Sequence, residues 1–516
     1  MSRVVVIGTG VGGLASAARL AALGHEVLVL EASDVVGGKL GIYRRDGYTF
    51  DTGPSLVTMP QVVADLFAAT GEPLGPEVGL ELERLEVACR YTFPDGTVLD
   101  LPGRREELAG ALDAALGDGA GAQWTAFLAE AEKVWEVAEG PFLRSPIDSA
   151  TIAELAASPS TLMTIAPWLS LRAFGARHLR DPRLRMMLDR YATYTGSDPR
   201  RAPSALATVP YAEQEYGSWY VPGGLRGLGE AVARRAVERG AEIRTGVRVA
   251  RIVHAGGGVR GVVTADGEWI EADVVVANAD ASHVYGELLD GAAARAELRS
   301  LRRATPSLSG FVLLLALEGL PAELRERAAH HRVLFPADYD DEFDSVFGVG
   351  RYGWAGPRGG GPRPVESPTV YVTAPQDPAI VPGGSAGLER GEGAWFVLVN
   401  APRHDPSAGA DWDAPGLADA YARRILAVMA ERGLDVRPHV RWMETRSPAD
   451  LERATLAPGG SIYGTSSNGS SSAFQRPSNA GPLRGLYLVG GSSHPGGGLP
   501  LVTLSAEIVA GLVGEA

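Results

Sequence analysis

The 516-residue sequence contains a single cysteine, Cys89. One cysteine excludes an internal disulfide, a cysteine-ligated iron–sulfur cluster and the paired thiols of a disulfide reductase. The nine histidines show no ligand spacing, and the adjacent pair His330-His331 is expected to point apart on any regular element, so no metal site is predicted.

Basic residues are also in short supply. The chain has 48 lysine and arginine residues against 62 aspartate and glutamate residues, which gives a formal net charge of −14. No basic stripe compensates for this acidic excess, and the sequence therefore predicts no nucleic-acid partner.

Long apolar runs are missing as well. A helix needs roughly 20 apolar residues to span a bilayer, whereas the segment Phe311 to Leu317 has only the length of a strand. The first glycine-rich motif follows Met1 so closely that no room is left for a signal segment. These features predict a cytoplasmic protein, with peripheral membrane contact left open.

A dinucleotide-binding pattern opens the chain. The strand Val4 to Ile7 runs into the turn Gly8-Thr9-Gly10-Val11-Gly12-Gly13. The N–H groups of such a turn, and of the helix that follows it, hold a pyrophosphate. A second strand, Glu26 to Leu30, ends at Glu31, where a carboxylate can accept hydrogen bonds from an adenosine ribose. The alternative is a βαβ turn without a ligand.

The other end of the chain repeats this arrangement. Gly485 to Val489 reads as a strand that enters Gly490-Gly491. A long cofactor held by both ends of the chain favours a flavin dinucleotide over an exchangeable nicotinamide. Only one complete fingerprint is present, so a second nucleotide-binding domain is not predicted.

Two further motifs lie near the first. In Gly37-Gly38-Lys39 the paired glycines let the backbone approach a phosphate, and Lys39 supplies a positive charge; the alternative is a solvated loop. Gly47 to Ser55 reads as a strand entering a tight turn that can pass close to a planar ring. Its alternative is the end of a hairpin.

The remaining chain predicts further layers. Apolar residues recur at helical spacing from about Leu108 to Arg190, and short β segments fill residues 241 to 278. Gly310 to Leu317, Thr369 to Thr373 and Trp395 to Asn400 are predicted strands of another sheet.

The predicted fold class is α/β: a Rossmann-like FAD-binding domain, a discontinuous mixed-sheet substrate domain and a helical subdomain. The chain is long enough for two or three domains. The FAD-binding domain is expected at residues 1–75, 217–290 and 455–516, and the substrate domain at 76–105 and 291–454. Residues 106–216 would form the helical subdomain, which could offer a membrane or substrate-access face.

Together these motifs resemble the flavin amine oxidase superfamily and, within it, the bacterial carotenoid (phytoene) desaturase family. The segments that carry the resemblance are the opening fingerprint, Gly37-Gly38-Lys39, Phe50 to Pro54, Trp219 to Gly224, Val275 to Asp280 and Leu486 to Val502. The sequence departs from the better-known phytoene desaturase pattern in two places. It has Gly491-Ser492 where Ala-Gly or Ala-Thr is commoner, and this block follows the segment Gly460 to Asn468. That combination is more similar to branches acting on already desaturated or end-modified chains.

The resemblance implies a set of FAD-binding residues: Gly8, Gly10, Gly12, Gly13, Glu31, Gly37, Gly38, Lys39, Gly53, Pro54, Ser55, Val249, Gly490, Gly491, Gly498, Leu499, Pro500 and Val502. By the same resemblance, Lys39 would lie near phosphate or ribityl oxygens and Val249 would contact adenine through its backbone. The helix that starts after Gly498 would direct its positive end at the reduced flavin.

Candidates for the chemistry itself are fewer. Tyr191, Tyr216 and Trp219 could line an apolar substrate tunnel, although aromatic residues in helices also serve as plain core. His494 is a candidate catalytic residue, with a structural hydrogen-bonding role as its alternative. Arg190 and Glu213 could be polar tunnel residues or a structural ion pair.

The function implied by the resemblance is an FAD-dependent desaturase, an oxidoreductase acting on CH–CH groups of a long apolar polyene such as a carotenoid. Electrons would leave to oxygen or a quinone. One alternative is dehydrogenation or aromatisation of a polyketide-derived polyene acyl chain, which could be attached to a carrier protein. Another is carotenoid ketolase or monooxygenase chemistry. A last alternative is an isomerase or scaffold that requires reduced flavin without net turnover.

Overall fold

The computed structural model describes residues 1–147, 158–327, 329–349, 361–469, 472 and 475–516. A parallel sheet of five strands, counted over these residues, brings distant parts of the chain together. In spatial order the strands are Glu242–Arg244, Glu26–Leu30, Arg3–Ile7, Val274–Ala277 and Leu486–Leu488. All four pairings are parallel. The central strands are rich in valine because both of their faces are buried.

Three helices accompany this sheet. They are Val11–Ala22, Arg226–Glu238 and Leu499–Val513. The first helix connects the strands Arg3–Ile7 and Glu26–Leu30, which is the predicted Rossmann-like unit. The strands of the parallel sheet come from within the three segments predicted for the FAD-binding domain, while the domain limits stay a prediction.

A larger mixed sheet forms a second layer. Its strands, in spatial order, are Val440–Arg446, Ser309–Leu317, Gly393–Ala401, Val370–Thr373, His331–Leu334, Val87–Thr92 and Val98–Pro102. Neighbours are antiparallel except His331–Leu334 and Val87–Thr92, which are parallel. One face of the sheet packs against the helix Leu417–Glu431 through a continuous apolar core.

Three smaller sheets complete the strands of the described residues. Val249–Ala255, Gly258–Thr264 and Trp269–Glu271 form an antiparallel sheet. Ile42–Arg45 pairs with Tyr48–Asp51, and Ser218–Tyr220 lies between Val57–Thr58 and Glu83–Arg84.

Helices follow the apolar spacing predicted between Leu108 and Arg190. They are Leu108–Leu116, Ala120–Ala138, Pro159–Ile165, Leu171–Gly175 and Pro182–Arg190. Trp124, Phe127 and Leu128 are buried in their shared core, as their spacing predicts.

The remaining α-helices within the described ranges are Pro60–Thr70, Thr208–Tyr216, Ala281–His283, Gly291–Leu301, Ala322–Arg327, Asp340–Phe347, Gly384–Glu389 and Pro448–Thr455. Short 3₁₀ or π turns occupy Pro76–Val78, Arg105–Glu107, Glu139–Leu143, Tyr191–Thr195, Ser204–Ala207, Val284–Leu288, Pro378–Ile380, Arg437–His439 and Pro458–Gly460. Among the helices of the described ranges, none combines the length and the apolar composition that crossing a bilayer requires.

Candidate cofactor and active site

The amino-terminal glycine turn is packed too closely for side chains. A Cβ at Gly13 would lie only 2.2 Å from the carbonyl oxygen of Gly8. The helix Val11–Ala22 begins directly after Gly10, so its first N–H groups border the turn. Gly8, Gly10, Gly12 and Gly13 therefore form a backbone surface suited to a pyrophosphate.

Asn278 joins this turn to the carboxyl-terminal motif. It follows the central strand Val274–Ala277, and its N–H donates to the carbonyl of Ile7 at 2.8 Å. A Cβ at Gly10 would lie 2.7 Å from Asn278 Nδ2, and one at Gly490 would lie 2.7 Å from Asn278 Oδ1. Asn278 is not among the site residues predicted from the sequence, although a polar residue at the carboxyl end of a central parallel strand is the available signal.

Glu31 holds the glycine turn in place. Its Oε2 accepts hydrogen bonds from the Thr9 N–H at 2.7 Å and from Thr9 Oγ1 at 2.6 Å, and its Oε1 accepts from the Ser33 N–H at 2.9 Å. Val247 donates its N–H to the Glu31 carbonyl at 2.8 Å, which brings the nearby Val249 to the same end of the sheet. The ribose and adenine contacts of Glu31 and Val249 stay predictions.

The second glycine motif packs on the first. The Gly37 N–H donates to the Thr9 carbonyl at 3.1 Å, and Lys39 Nζ donates to the Ile462 carbonyl at 2.6 Å. Burial lowers the pKa of Lys39 below its ordinary value, against the opposing effect of the Asp280 carboxylate. Gly38 and Lys39 nevertheless have solvent-exposed surface, where a ligand could contact the motif.

The segment Gly53-Pro54-Ser55 lies beside the Lys39 backbone. A Cβ at Gly53 would stand 1.9 Å from the Lys39 carbonyl oxygen, and Thr52 donates its N–H to the Gly41 carbonyl at 2.9 Å. Pro54 is exposed, whereas Ser55 is buried and its hydroxyl lies 3.1 Å from His331 Nε2.

The carboxyl-terminal motif leads into the helix Leu499–Val513. Gly498 precedes the helix with a φ of +115° and is solvent-exposed, while Leu499 and Pro500 are buried and Val502 is partly buried. The Arg476 guanidinium donates to the Gly491 carbonyl at 2.7 Å and fixes the turn before it. The motif thus places a helix start and exposed backbone in the region predicted to border the flavin.

His494 is buried, and both its imidazole and its backbone carbonyl have hydrogen-bond partners. Its imidazole Nε2 lies 3.0 Å from the Ser145 carbonyl, and its own carbonyl accepts from Asn479 Nδ2 and Ser505 Oγ, both at 2.8 Å. Burial lowers the pKa of His494 to about 4. These contacts favour the structural alternative, and catalysis by His494 stays a prediction.

Arg190 and Glu213 belong to one buried aromatic cluster. The guanidinium carbon of Arg190 lies 5.0 to 5.9 Å from the ring centres of four tyrosines, Tyr91, Tyr191, Tyr194 and Tyr371. Glu213 accepts hydrogen bonds from Tyr191 at 2.7 Å and from Tyr194 at 2.9 Å. Tyr191 and Tyr194 therefore lie between Arg190 and Glu213, whereas a direct ion pair was one of the two predicted arrangements.

The other aromatic candidates lie next to each other. Trp219 Nε1 donates to the Tyr216 carbonyl at 2.8 Å, and the Tyr216 ring packs 6.0 Å from that of Trp135. Tyr191 is fully buried, whereas Tyr216 and Trp219 are partly buried. Their contact with substrate stays a prediction.

The expectation that His330 and His331 point apart is wrong. Their Nδ1 atoms lie 2.9 Å from each other. Strand alternation does not apply, because the strand begins at His331 and leaves His330 outside it. Over the described residues, no group of three or more histidine, cysteine or acidic side chains is arranged to hold a metal ion.

Comparison with known proteins places this site in a family. The family described as flavin containing amine oxidoreductase matches residues 11–334. The chain belongs to this flavin-containing amine oxidoreductase family. The protein is accordingly an FAD-dependent oxidoreductase, and the tight glycine turn, the helix start behind it and the exposed backbone of Gly38 and Gly498 fit that cofactor.

Relatives that match nearly the whole chain are named as carotenoid desaturases or oxygenases. The 4,4'-diapolycopene oxygenase of Methylomonas sp is 34% identical over 515 residues, covering 98% of this chain and 97% of that protein. The hydroxyneurosporene desaturase of Rhodobacter capsulatus is 34% identical, covering 97% and 95%. The zeta-carotene-forming phytoene desaturase of Myxococcus xanthus is 32% identical, covering 98% and 93%. The resemblance to the carotenoid desaturase family is confirmed.

Solved structures share the architecture. An oxidoreductase from Methanosarcina mazei superposes with a TM-score of 0.60 at 17% identity and covers 98% of both chains. A putrescine oxidase, wild type bound to putrescine, gives a TM-score of 0.63 at 15% identity and covers 99% of this chain and 98% of its own. At such identities the likeness concerns the fold, and the predicted α/β fold class is confirmed.

Proposed function

We propose that the protein is an FAD-dependent desaturase that removes a hydride and a proton from neighbouring carbons of a long apolar polyene, a carotenoid or carotenoid-like molecule. The observation that carries this proposal is the extent of the likeness. Two proteins named as desaturases are 34% and 32% identical to this chain. The matches cover 97% and 98% of it, respectively, and so extend well beyond the cofactor-binding ends.

The chain supplies binding and orientation in this reaction. Gly8, Gly10 and Gly13 would hold the pyrophosphate, with Glu31 stabilising their turn from behind. Lys39 would place its charge beside phosphate or ribityl oxygens. Bound FAD supplies a hydride acceptor. The protein must therefore align the substrate and exclude water, which an apolar wall does without a catalytic triad.

The helical subdomain is proposed to be the face through which an apolar substrate arrives. Within residues 106–216, Met163 is 68% exposed and Trp168 is 58% exposed, so large apolar side chains face outward. Such exposure supports peripheral contact with a membrane or with a carrier protein. The proposed location is cytoplasmic, and the proposed electron acceptor is oxygen or a quinone.

Oxygen insertion is a second candidate. The 34% identical relative from Methylomonas is named as an oxygenase, as is a relative of Staphylococcus aureus that is 29% identical over 516 residues. An oxygenase would incorporate labelled oxygen from ¹⁸O₂ into the product, whereas a desaturase would release a hydrocarbon product of unchanged oxygen content.

The test is anaerobic bleaching of the flavin spectrum of the purified protein by phytoene, by lycopene and by a polyene acyl chain. Bleaching by a carotene with formation of a more unsaturated product is expected. Bleaching by the acyl chain alone would indicate that the substrate is a polyketide-derived polyene acyl chain. Isomerised product with no net bleaching would contradict desaturation.

A further inference from the structure

A buried hydroxyl and two imidazoles form a hydrogen-bonded chain. Ser55 Oγ lies 3.1 Å from His331 Nε2, and His331 Nδ1 lies 2.9 Å from His330 Nδ1. Ser55 is 7% exposed and His331 is 1% exposed. An imidazole can accept a proton on one nitrogen while it releases one from the other, so two linked imidazoles form a path for a proton.

Strand register produces this arrangement. His331 pairs with Thr373 in the antiparallel ladder, so their side chains project from the same face of the seven-stranded sheet. Thr373 Oγ1 lies 3.0 Å from Ser55 Oγ. Ser55 follows Gly53, which packs on the Lys39 backbone. The chain of hydrogen bonds therefore begins where the cofactor-binding motifs meet the larger sheet.

Ser55 also lines a cavity. A space of about 20 Å³ is lined by Phe50, Asp51, Ser55, Tyr220, Thr373 and Phe396, among others. This volume is sufficient for one water molecule. Apolar and polar residues share its wall, so Ser55 borders a space that a water molecule can occupy.

We propose that Ser55, His331 and His330 carry away the proton that the substrate loses in the desaturation, an inference that rests on the proposed function. Bound FAD would supply the acceptor for the hydride of one C–H bond. The neighbouring C–H bond breaks, its electron pair forms the new C=C bond, and its proton passes to Ser55 Oγ. The Ser55 hydroxyl proton moves to His331 Nε2 and the His331 Nδ1 proton moves to His330 Nδ1, which leaves His330 as an imidazolium.

Charges around the imidazoles are consistent with this role. Burial lowers the pKa of His330 to about 4 and that of His331 well below its ordinary value, so both are neutral acceptors at neutral pH. A weak base is sufficient, because a C–H bond next to an allylic cation is strongly acidic. The Asp377 carboxylate, which accepts a hydrogen bond from Tyr220 at 2.8 Å, opposes that lowering at His330 and favours a transient imidazolium.

The test compares full-length flavin-loaded variants Ser55→Ala and His331→Gln with a matched control, His25→Gln. His25 is also buried and its Nε2 lies 2.9 Å from the Gly514 carbonyl. The readout is the anaerobic single-turnover rate of flavin bleaching by the carotene that bleaches the wild type. We expect a loss of about 10²-fold in both site variants, as removal of a general base gives, and the wild-type rate in His25→Gln.

A solvent isotope effect separates proton transfer from simple structural support. In D₂O the wild type is expected to bleach more slowly, because exchangeable O–H and N–H protons move with the substrate proton. Ser55→Ala is expected to lose most of this effect, since the first exchangeable proton is gone. If His331→Gln does not retain flavin, Ser55→Ala and the partly exposed His330→Gln decide the question by the same measurements.

Two results would overturn the proposal in different ways. Wild-type rates and an unchanged isotope effect in Ser55→Ala and His331→Gln would exclude the relay and leave the desaturase function standing. A wild type that no polyene bleaches would remove the proposed function, and the relay with it.

Discussion

The side chain of Asn278 occupies the space that a side chain at residue 490 would need. A Cβ built on Gly490 would stand 2.7 Å from Asn278 Oδ1, and real Cβ contacts are not this short. Gly490 also has a φ of +103°, a conformation that L side chains rarely adopt. One asparagine at the end of a central strand thus packs against glycines from both ends of the chain.

Replacing Gly490 by alanine is expected to destabilise the protein and weaken FAD retention. The added methyl group must displace Asn278 or the backbone, and such overpacking costs about 1–3 kcal/mol. The measurements are the ratio of bound FAD to protein and the free energy of unfolding in urea. Gly110→Ala is the control, because Gly110 is exposed within the helix Leu108–Leu116 and a Cβ there meets nothing within 4 Å. It should gain up to about 1 kcal/mol, and equal behaviour of the two variants would contradict the close contact.

Glu31→Gln is expected to weaken FAD binding. The Glu31 carboxylate accepts from both the N–H and the hydroxyl of Thr9, and hydrogen bonds to a charged acceptor contribute about 1.5–3 kcal/mol. Loss of that order corresponds to a roughly 10- to 100-fold rise in the Kd for FAD. Fluorescence titration of the apoprotein measures it. Glu26→Gln is the matched control at the exposed start of the same strand, and an equal Kd in both variants would show that Glu31 does not support the turn.

The sequence predicts individual strands and the opening glycine motif well, because the signals for them lie within short segments. Gly310 to Leu317, Thr369 to Thr373 and Trp395 to Asn400 were predicted as strands, and the structure has Ser309–Leu317, Val370–Thr373 and Gly393–Ala401. Apolar and β-branched residues bounded by turn residues carry that information within each segment. The same holds for the opening strand, turn, helix and Glu31.

Contacts between distant segments were not predictable in this way. The meeting of His331 with Ser55 depends on the register of His331 with Thr373 and on the packing of one domain segment against the larger sheet. Neither leaves a periodic pattern in the sequence. The same is true of Asn278, because its contacts with the two glycine motifs join segments that are far apart in the sequence.

Arg190→Leu is expected to destabilise the protein by about 2–4 kcal/mol, because desolvated cation–π contacts and a hydrogen bond to Tyr91 at 2.9 Å are lost together. Urea unfolding monitored by tyrosine and tryptophan fluorescence measures the loss. Lys133→Leu is the control, since Lys133 forms an exposed ion pair with Glu130 at 2.8 Å, which contributes less than about 1 kcal/mol. A similar small change in both variants would exclude a stabilising role for the tyrosine cluster around Arg190.

The contribution of His494 to the stability of the protein is expected to fall on mild acidification. Burial holds the pKa of His494 at about 4 in the folded state, against an ordinary value of 6.5. Between these pH values the unfolded chain binds a proton that the folded chain excludes, so the free energy of unfolding decreases as the pH falls from 6.5 towards 4. Above pH 6.5 both states are neutral at this residue, and its contribution is constant.

Comparison with His494→Gln isolates this contribution from other buried groups. His330 titrates in the same direction, and Asp51, whose pKa burial raises to about 6, titrates in the opposite one, but both are common to the two proteins. Glutamine does not titrate, so the stability advantage of the wild type over His494→Gln should be larger at pH 7 than at pH 4.5. Urea unfolding at the two pH values measures this difference. An advantage that is independent of pH would mean that His494 is protonated as readily in the folded state as in the unfolded chain, which its burial argues against.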